Sequence, residues 1–592
     1  DRAVNSLLYP IGSYYQVYGL WDDVELVIAP PLRVEDVFVT TSYRNMTITV
    51  EATVANDLGR EVEVTLENVV LDRGAEVLEL PEVRLILKPH SAERVRVSSR
   101  WADAELWSPW NPHLYTLSSK LMMDGVVIDN VTTRFGFREF WVEDGSYYLN
   151  GVKITLRMAS AHPLGYDYET AVKVYNALKE ASINSMRLHA QPWRRLWYDL
   201  ADERGVMLVH ESAYWCFGRQ YRVEDPDFWE NFRQHLRGQV LLHRNHPSIV
   251  IWSLENELLL TGAAYREGVE ARLAELVGYV KKLDPTRPVM FEGDFDPGGA
   301  ADIVNLHYPH EYARHDQYPN TAFWLLNETK LDSYPRITWK WDRKKPLHIG
   351  EFLWVPFTSF DVPAALYGEE SYKNPAYYHA LAKAEAWKYQ IPAYRVLGVS
   401  GFCPWNIFEG GRGVRKLFYE VVKETYKPVR FFLLNYSRYV YGGAEFRLSV
   451  AVVNDHHEAL NLTLTYRFTY PEGREEGDIN LPLRAGDREI VTIRLKAPEV
   501  SGVVKAKLNL TLTSRDKTLH SEEETFYVHP RTKPLTGVRV EVLREDVKTR
   551  EMLESLGAEV REVESLGDAH VLVIGRDLLK NADLGELVLF VE

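Results

Sequence analysis

The sequence predicts a multidomain chain: a (β/α)8 TIM barrel flanked by immunoglobulin-like β-sandwiches, with a partial α/β unit at the C-terminal end. Three observations predict it. Between about Gly151 and Thr425, short apolar runs alternate with helical periods, and eight such runs can be counted. On both sides of that region the pattern changes to apolar–polar alternation of period two. Turn signals such as Asp57-Leu-Gly59 separate the alternating runs, as antiparallel sandwiches require.

Composition narrows the function. A chain of 592 residues has room for about four domains of ordinary size. It is 46% hydrophobic and 26% charged, which supports large cores. A net charge of −15 argues against nucleic acid or an anionic membrane as the main partner. No run of eighteen apolar residues offers a membrane helix, and no signal peptide is visible. Localisation is left open, with the cytoplasm slightly favoured over secretion. Two cysteines, Cys216 and Cys403, give neither a disulfide framework nor metal-ligand spacing, and are read as free structural thiols.

In chain order, residues 1–31 read as the tail of a preceding domain. Residues 32–140 form the first sandwich, with strands Val34–Tyr43, Met46–Asn56, Val62–Asp72, Glu93–Trp101, Leu114–Met123 and Val126–Phe137. Residues 141–428 hold the barrel. Its strands are expected at Val152–Met158, Ile183–His189, Val206–Glu211, Ile249–Ser253, Pro288–Glu292, Ile303–His307, Pro346–Gly350 and Gly398–Trp405. Helices are expected over Thr170–Glu180, Arg194–Arg204, Pro226–Arg244, Ala263–Lys282, Ala376–Gln390 and Lys416–Thr425. The connection from Pro309 to Lys345 is long for a compact loop, which points to a functional insertion. Residues 429–530 form a second sandwich. Residues 531–592 form a small α/β unit too short to close its own sheet.

Chemistry is sought at the C-terminal ends of the barrel strands. The fourth runs through Ile249-Val-Ile-Trp252 into Glu255-Asn-Glu257, and the seventh delivers Glu351. Carboxylates crowded at a buried strand end are costly in a core and useful in a site. Two of them across a cleft are what glycoside hydrolysis needs, one protonated as acid and one ionised as nucleophile.

The stretch His243-Arg-Asn-His-Pro-Ser-Ile-Val-Ile-Trp-Ser-Leu-Glu-Asn-Glu257 resembles the acid/base signature of glycoside hydrolase family 2, the family of β-galactosidases, β-glucuronidases and β-mannosidases. Tyr18-Gly-Leu-Trp-Asp-Asp-Val-Glu-Leu26 is similar to the end of that family's N-terminal sugar-binding jelly roll. Leu106-Trp-Ser-Pro109, Asn111-Pro-His-Leu-Tyr115, Phe135-Gly-Phe-Arg138 and Leu149-Asn-Gly151 resemble its sandwich and the start of its barrel. Asp199-Leu-Ala-Asp-Glu-Arg-Gly205 and Val209-His-Glu211 resemble its second helix and third strand. The resemblance implies a retaining exo-β-glycosidase, first of all a β-galactosidase, with Glu257 as general acid/base and Glu351 as nucleophile. It implies that Asn256 binds the sugar 2-hydroxyl, that Arg187 holds Glu351 ionised, that Tyr308 donates to Glu351, and that Trp405 floors the pocket. A structural partner such as Glu211 is the alternative for Arg187, and a core role is the alternative for Tyr308 and Trp405. His162, His189 and His307 are read as residues lining the site. No tight spacing marks a metal site, and no organic cofactor is required.

The chain also departs from the family pattern. Position 255 is usually small there, and here it is Glu; pointing into the cleft, it would raise the pKa of Glu257. His189-Ala-Gln-Pro192 replaces a usual Ser-His-Tyr-Pro. The glucuronidases' Asn-x-Lys clamp for a sugar carboxylate is not evident, and Gly411-Arg-Gly-Val-Arg415 stands after the eighth strand. Only a remnant of the jelly roll precedes the sandwich, so the expected partners are a carbohydrate substrate and either a second copy or a second chain supplying that domain. A β-mannosidase or β-glucuronidase, an endo-acting β-glycanase, and a carbohydrate-binding protein without turnover are the alternatives.

Overall fold

The structure, a computed structural model, describes residues 7–10, 22–161, 167–191, 193–311, 322–331, 338–353, 361–405, 407–408, 412–531, 536–543, 547–563 and 571–573. The chain divides into two compact units. One holds Asp1–Phe432, Val452–Asn461 and Pro482–Glu489; the other holds Leu433–Ala451, Leu462–Leu481 and Ile490–Glu592.

The first unit opens with a sandwich of two antiparallel sheets. Leu32–Ser42, Thr47–Asn56 and Ser91–Arg100 form one; Val126–Phe135, Tyr115–Met123, Val62–Asp72, Ala75–Glu79 and Val83–Leu87 form the other. Period-two alternation places Val37, Val39, Ile48, Val50, Leu66, Leu117 and Leu121 in one core. Two strands escaped the sequence reading. Ala75–Glu79 is exposed along nearly its whole length, so no apolar alternation marks it. Val83–Leu87 buries only Leu87.

Arg138, buried at the end of this sandwich, donates through Nε to the carbonyl of Pro247 (3.0 Å) and through Nη2 to that of Ile249 (2.6 Å). These charge-assisted bonds fix the sandwich to the start of the fourth barrel strand.

The barrel strands are β1 (Leu156–Ala161), β2 (Ser185–Leu188), β3 (Met207–Glu211), β4 (Ile249–Asn256), β5 (Val289–Glu292), β6 (Val304–His307), β7 (Leu347–Phe352) and β8 (Gly401–Pro404). All pair in parallel, in the order β5-β4-β3-β2-β1-β8-β7-β6. The seam between β5 and β6 is bridged by Asp302 N to Val289 O (3.0 Å) and Phe295 N to Asn305 O (2.9 Å), so the barrel is nearly closed. One expectation is corrected here. Val152–Ile154 is not part of the first barrel strand; it pairs antiparallel with Ser146–Leu149. Asn150 and Gly151, at φ +51° and +81°, make the tight turn of that hairpin, and the barrel begins at Leu156.

Around the barrel lie α1 (Tyr168–Glu180), α2 (Arg195–Arg204), α3 (Pro226–His243), α4 (Val269–Leu283), α5 (Pro375–Leu397) and α6 (Arg412–Thr425). Asp167 caps α1 by accepting from Thr170 N, and Asp225 caps α3 ahead of Pro226. Helix α4 starts later than expected: Ala263–Tyr265 is a separate 3-10 turn, and Gly268 at φ +78° precedes the helix.

On β3, Met207, Val209 and Glu211 share a face, because strand side chains alternate. Val209 and Met207 join Met158, Ile251, Met290 and Cys403 in a buried apolar cluster. The polar residues at the strand ends lie above it.

In the second unit, Tyr439–Tyr441, Lys517–His529, Val504–Ser514, Leu460–Tyr470 and Gly473–Leu483 form a five-stranded sheet. Glu559–Val563, Arg539–Leu543 and Val571–Val573 form a small parallel sheet beside the helix Val547–Ser555. The apolar run Leu587–Val591 lies outside the described residues.

Candidate active site

The turns at the C-terminal end of the barrel are strained. Ala190 after β2, Cys216 after β3, Glu257 after β4, Phe295 after β5, Tyr308 after β6 and Leu353 after β7 all have φ between +44° and +66°. A left-handed backbone costs a residue with a Cβ about 1–3 kcal/mol, and such outliers gather where side chains must be aimed. Two of the six, Glu257 and Tyr308, are site candidates.

Arg187, wholly buried on β2, is the hub. Its Nη1 donates to Glu351 Oε1 (2.6 Å), its Nη2 to Asn256 Oδ1 (2.5 Å), and its Nε to Glu211 Oε2 (2.7 Å). Glu292 Oε1 lies 3.7 Å from the same Nε. The choice between Glu351 and Glu211 as partner is thus resolved as both. A buried guanidinium needs several carboxylates to offset its lost hydration.

Glu351, on β7, also accepts from the Tyr308 hydroxyl at Oε2. Glu257 accepts from His307 Nδ1 at Oε1 (2.7 Å), while Cys216 Sγ lies 3.4 Å from Oε2. The other ring nitrogen of His307 lies 3.3 Å from Glu292 Oε1. With carboxylate oxygens facing both nitrogens, His307 donates twice and carries a positive charge. The ring fits because Gly350 faces it: a Cβ there would meet Glu292 Oε1 at 1.8 Å and His307 Nε2 at 2.7 Å.

Burial and charge compete over each group. Burial opposes charging His307, but the Glu351 charge and the bonds to Glu257 and Glu292 outweigh it and push its pKa up to about 10. Burial raises Glu351, and with the Glu257 charge it prevails over His307, Arg187 and Tyr308, to about 7. Glu257 is also desolvated, yet the bond and charge of His307 hold it below the usual carboxylate range. Glu211 is raised by burial to about 7, whereas Arg187 and His307 hold Glu292 low against its own burial. These carboxyls and His307 exchange protons as one set.

Trp405, just past β8, lies beneath the Arg187 guanidinium (5.8 Å) and edge-on to the His189 ring (4.8 Å). His189 is kept neutral by burial and by the Arg187 charge. The structure therefore brings Glu257, Glu351, Asn256, Arg187, Tyr308, His307, His189 and Trp405 to one end of the barrel. His162 lies outside the described residues. Three participants escaped the sequence reading as site residues: Glu292, Glu211 and Cys216. A Glu ending the apolar run Val289-Met-Phe-Glu292 carries the same signal as Glu257. Cys216 carries none, because its place depends on the turn after β3.

One expectation is overturned. Glu255 does not point toward Glu257 to raise its pKa. It is wholly buried, and its carboxyl faces Asp294.

One oxygen of Glu257, one of Glu351 and a His307 nitrogen lie within 4.8 Å of one another. Two carboxyls this close can act together on one bound group.

The family model described as "Glycosyl hydrolases family 2, TIM barrel domain" matches residues 138–356, and that described as "Glycosyl hydrolases family 2" matches residues 32–138. Among solved structures, the chain is similar to a β-D-mannosidase from Dictyoglomus thermophilum, with 18% identity, a TM-score of 0.62, and 86% of this chain and 68% of that one covered. It is similar to a GH2 β-galacturonidase from Eisenbergiella tayi bound to galacturonate, with 22% identity, a TM-score of 0.52, and coverage of 67% and 73%. A β-glucuronidase from Bacteroides uniformis gives 15% identity, a TM-score of 0.52, and coverage of 88% and 64%. At these identities the likeness to the solved structures is one of fold.

Proposed function

The chain belongs to glycosyl hydrolases family 2 and is a glycoside hydrolase; from that premise we propose that it is a retaining exo-β-glycosidase whose nucleophile is Glu351 and whose acid/base is Glu257. The observation that carries this reading is the close pair of carboxyls, one bound by Arg187 and Tyr308 and the other by His307.

In the first step Glu351 attacks the anomeric carbon while the carboxylic acid of Glu257 gives its proton to the departing oxygen. The C–O bond of the leaving group breaks as the ester to Glu351 forms. In the second step water attacks that carbon, Glu257 takes the water's proton, and the ester bond breaks. Glu257 acquires the first proton from His307 Nδ1 across 2.7 Å, which leaves a neutral imidazole and a carboxylic acid. Arg187 and Tyr308 balance the negative charge on Glu351 until it attacks. Asn256, its Oδ1 held by Arg187 and its Nδ2 donating one N–H to Cys216 Sγ (3.6 Å), has its second amide N–H for a sugar hydroxyl.

Both carboxyls are nearly closed off, with Glu257 9% and Glu351 3% exposed, which suits one terminal sugar better than an open chain. The sequence has no evident Asn-x-Lys clamp for a sugar carboxylate, which favours a neutral glycone, β-galactoside first and β-mannoside second. The solved relatives act on different glycones, so a panel of aryl β-glycosides decides. One sugar cleaved by the parent and spared by Glu351→Ala fits the proposal. Equal rates for the two proteins would defeat it.

A further inference from the structure

The turn that carries Glu257 is fastened from behind by two buried acids. Glu255 Oε2 accepts from Leu258 N (2.8 Å), Asp294 Oδ2 from Leu259 N (2.5 Å) and Asp294 Oδ1 from Leu260 N (2.9 Å). Three successive N–H groups immediately after Glu257 are thus held by two carboxyls. The turn is closed by Thr261, whose N and Oγ1 both donate to the Glu257 carbonyl (3.0 and 2.6 Å). Gly218 lies so close that a Cβ there would meet the Leu258 carbonyl at 1.9 Å.

The two carboxyls also meet each other. Glu255 is wholly buried and Asp294 nearly so, and they lie within hydrogen-bond reach. Among the described residues, no donor reaches Glu255 Oε1. A buried carboxylate oxygen with no donor is costly, and two facing carboxylates more so, unless a proton lies between them. We propose that Glu255 and Asp294 share one proton, and that this acid–carboxylate pair is the clamp that fixes residues 257–261 and so positions Glu257. The proposal rests on the reading of Glu257 as the acid/base.

The N–H groups of Leu258, Leu259 and Leu260 favour ionisation of the pair, while the acids around it oppose ionisation. Asp294 opposes ionisation of Glu255, Glu211 from the end of β3 adds to it, and Glu257 opposes ionisation of Asp294. Burial is the larger cause for both, lifting Glu255 well above the ordinary range and Asp294 to about 6. Glu255 is therefore the member that keeps the proton.

The test compares Glu255→Gln and Glu255→Ala with the parent in thermal melting and in turnover of the best aryl glycoside. Glutamine copies the protonated acid: its amide donates to Asp294, its oxygen accepts from Leu258 N, and it has no proton to lose. Between about pH 6 and pH 9 the parent is expected to lose more melting temperature than Glu255→Gln. At about pH 6, Glu255→Gln should keep kcat within about threefold, while Glu255→Ala loses about tenfold or more in kcat with KM within about twofold. Parallel melting curves for parent and Glu255→Gln would overturn the shared proton. An alanine variant with the parent's kcat would overturn the positioning role. If Glu255→Ala does not fold, the threefold limit on Glu255→Gln still judges that role. If the parent cleaves no glycoside, the functional reading fails, and the melting curves still decide the shared proton.

Discussion

His307 Nδ1 lies 2.7 Å from Glu257 Oε1, and the same nitrogen lies 3.8 Å from Glu351 Oε1. One cationic ring therefore sets the charge on both members of the proposed pair, and it does so from within the barrel, where the field is only weakly screened. It pulls both carboxyls down against a burial that raises both.

This arrangement fixes a pH dependence. As the proposed nucleophile Glu351 must be ionised to attack, and burial lifts its pKa to about 7, so kcat/KM should fall as pH falls through about 7. Removing the cation in His307→Gln should raise Glu351 further and move that acid limb up by about one pH unit. A pH profile of both proteins on one substrate checks it; an unmoved limb would show that His307 does not govern the pair.

Arg187 makes a planar set of bonds to three side chains that a point charge cannot copy. Arg187→Lys should keep the fold but lose about 100-fold in kcat/KM, because Glu351 and Asn256 would no longer be held together. Circular dichroism and steady-state kinetics, run side by side, separate the two effects.

Stability should be given up at this site. A carboxyl whose pKa is raised by folding contributes stability that is full below its unfolded value, about 4.3, and is lost as pH rises through its folded value. For Glu351 that folded value is about 7. Glu351→Gln should therefore gain melting temperature relative to the parent as pH rises from about 5 to about 8. A difference that stays constant across that range would contradict the burial argument.

Gly350 tests the packing beneath the pair. A Cβ there would stand 1.8 Å from Glu292 Oε1, 2.7 Å from His307 Nε2 and 2.8 Å from Asn305 Oδ1, buried side chains tied to one another and to the backbone by hydrogen bonds. Gly350→Ala should cost about 3 kcal/mol in urea unfolding, at the upper end of overpacking penalties.

Much of this was legible in the sequence. Eight apolar runs separated by helical periods specify the barrel, and the strand that ends in Glu255-Asn-Glu257 specifies its working end. Arg187, Tyr308 and Trp405, named from the family resemblance, lie at the same end of the barrel as Glu257 and Glu351. What stayed hidden depends on register and on turns. The direction of Glu255 follows from a shift in the pairing of β4 with β5, between Ser253 and Asn256, which no local pattern announces. Cys216 reaches Glu257 only because the turn after β3 adopts φ +44°. The role of His307 depends on two glycines, Gly293 and Gly350, that leave room for its ring from elsewhere in the chain.

The most direct test of the account is to trap the covalent intermediate. The enzyme would be incubated with an activated 2-deoxy-2-fluoro β-glycoside of the sugar it turns over, then digested and sequenced by mass spectrometry. The account predicts a glycosyl adduct on Glu351 that is absent from Glu351→Gln. An adduct on another carboxylate, or a product released with inverted anomeric configuration, would contradict it.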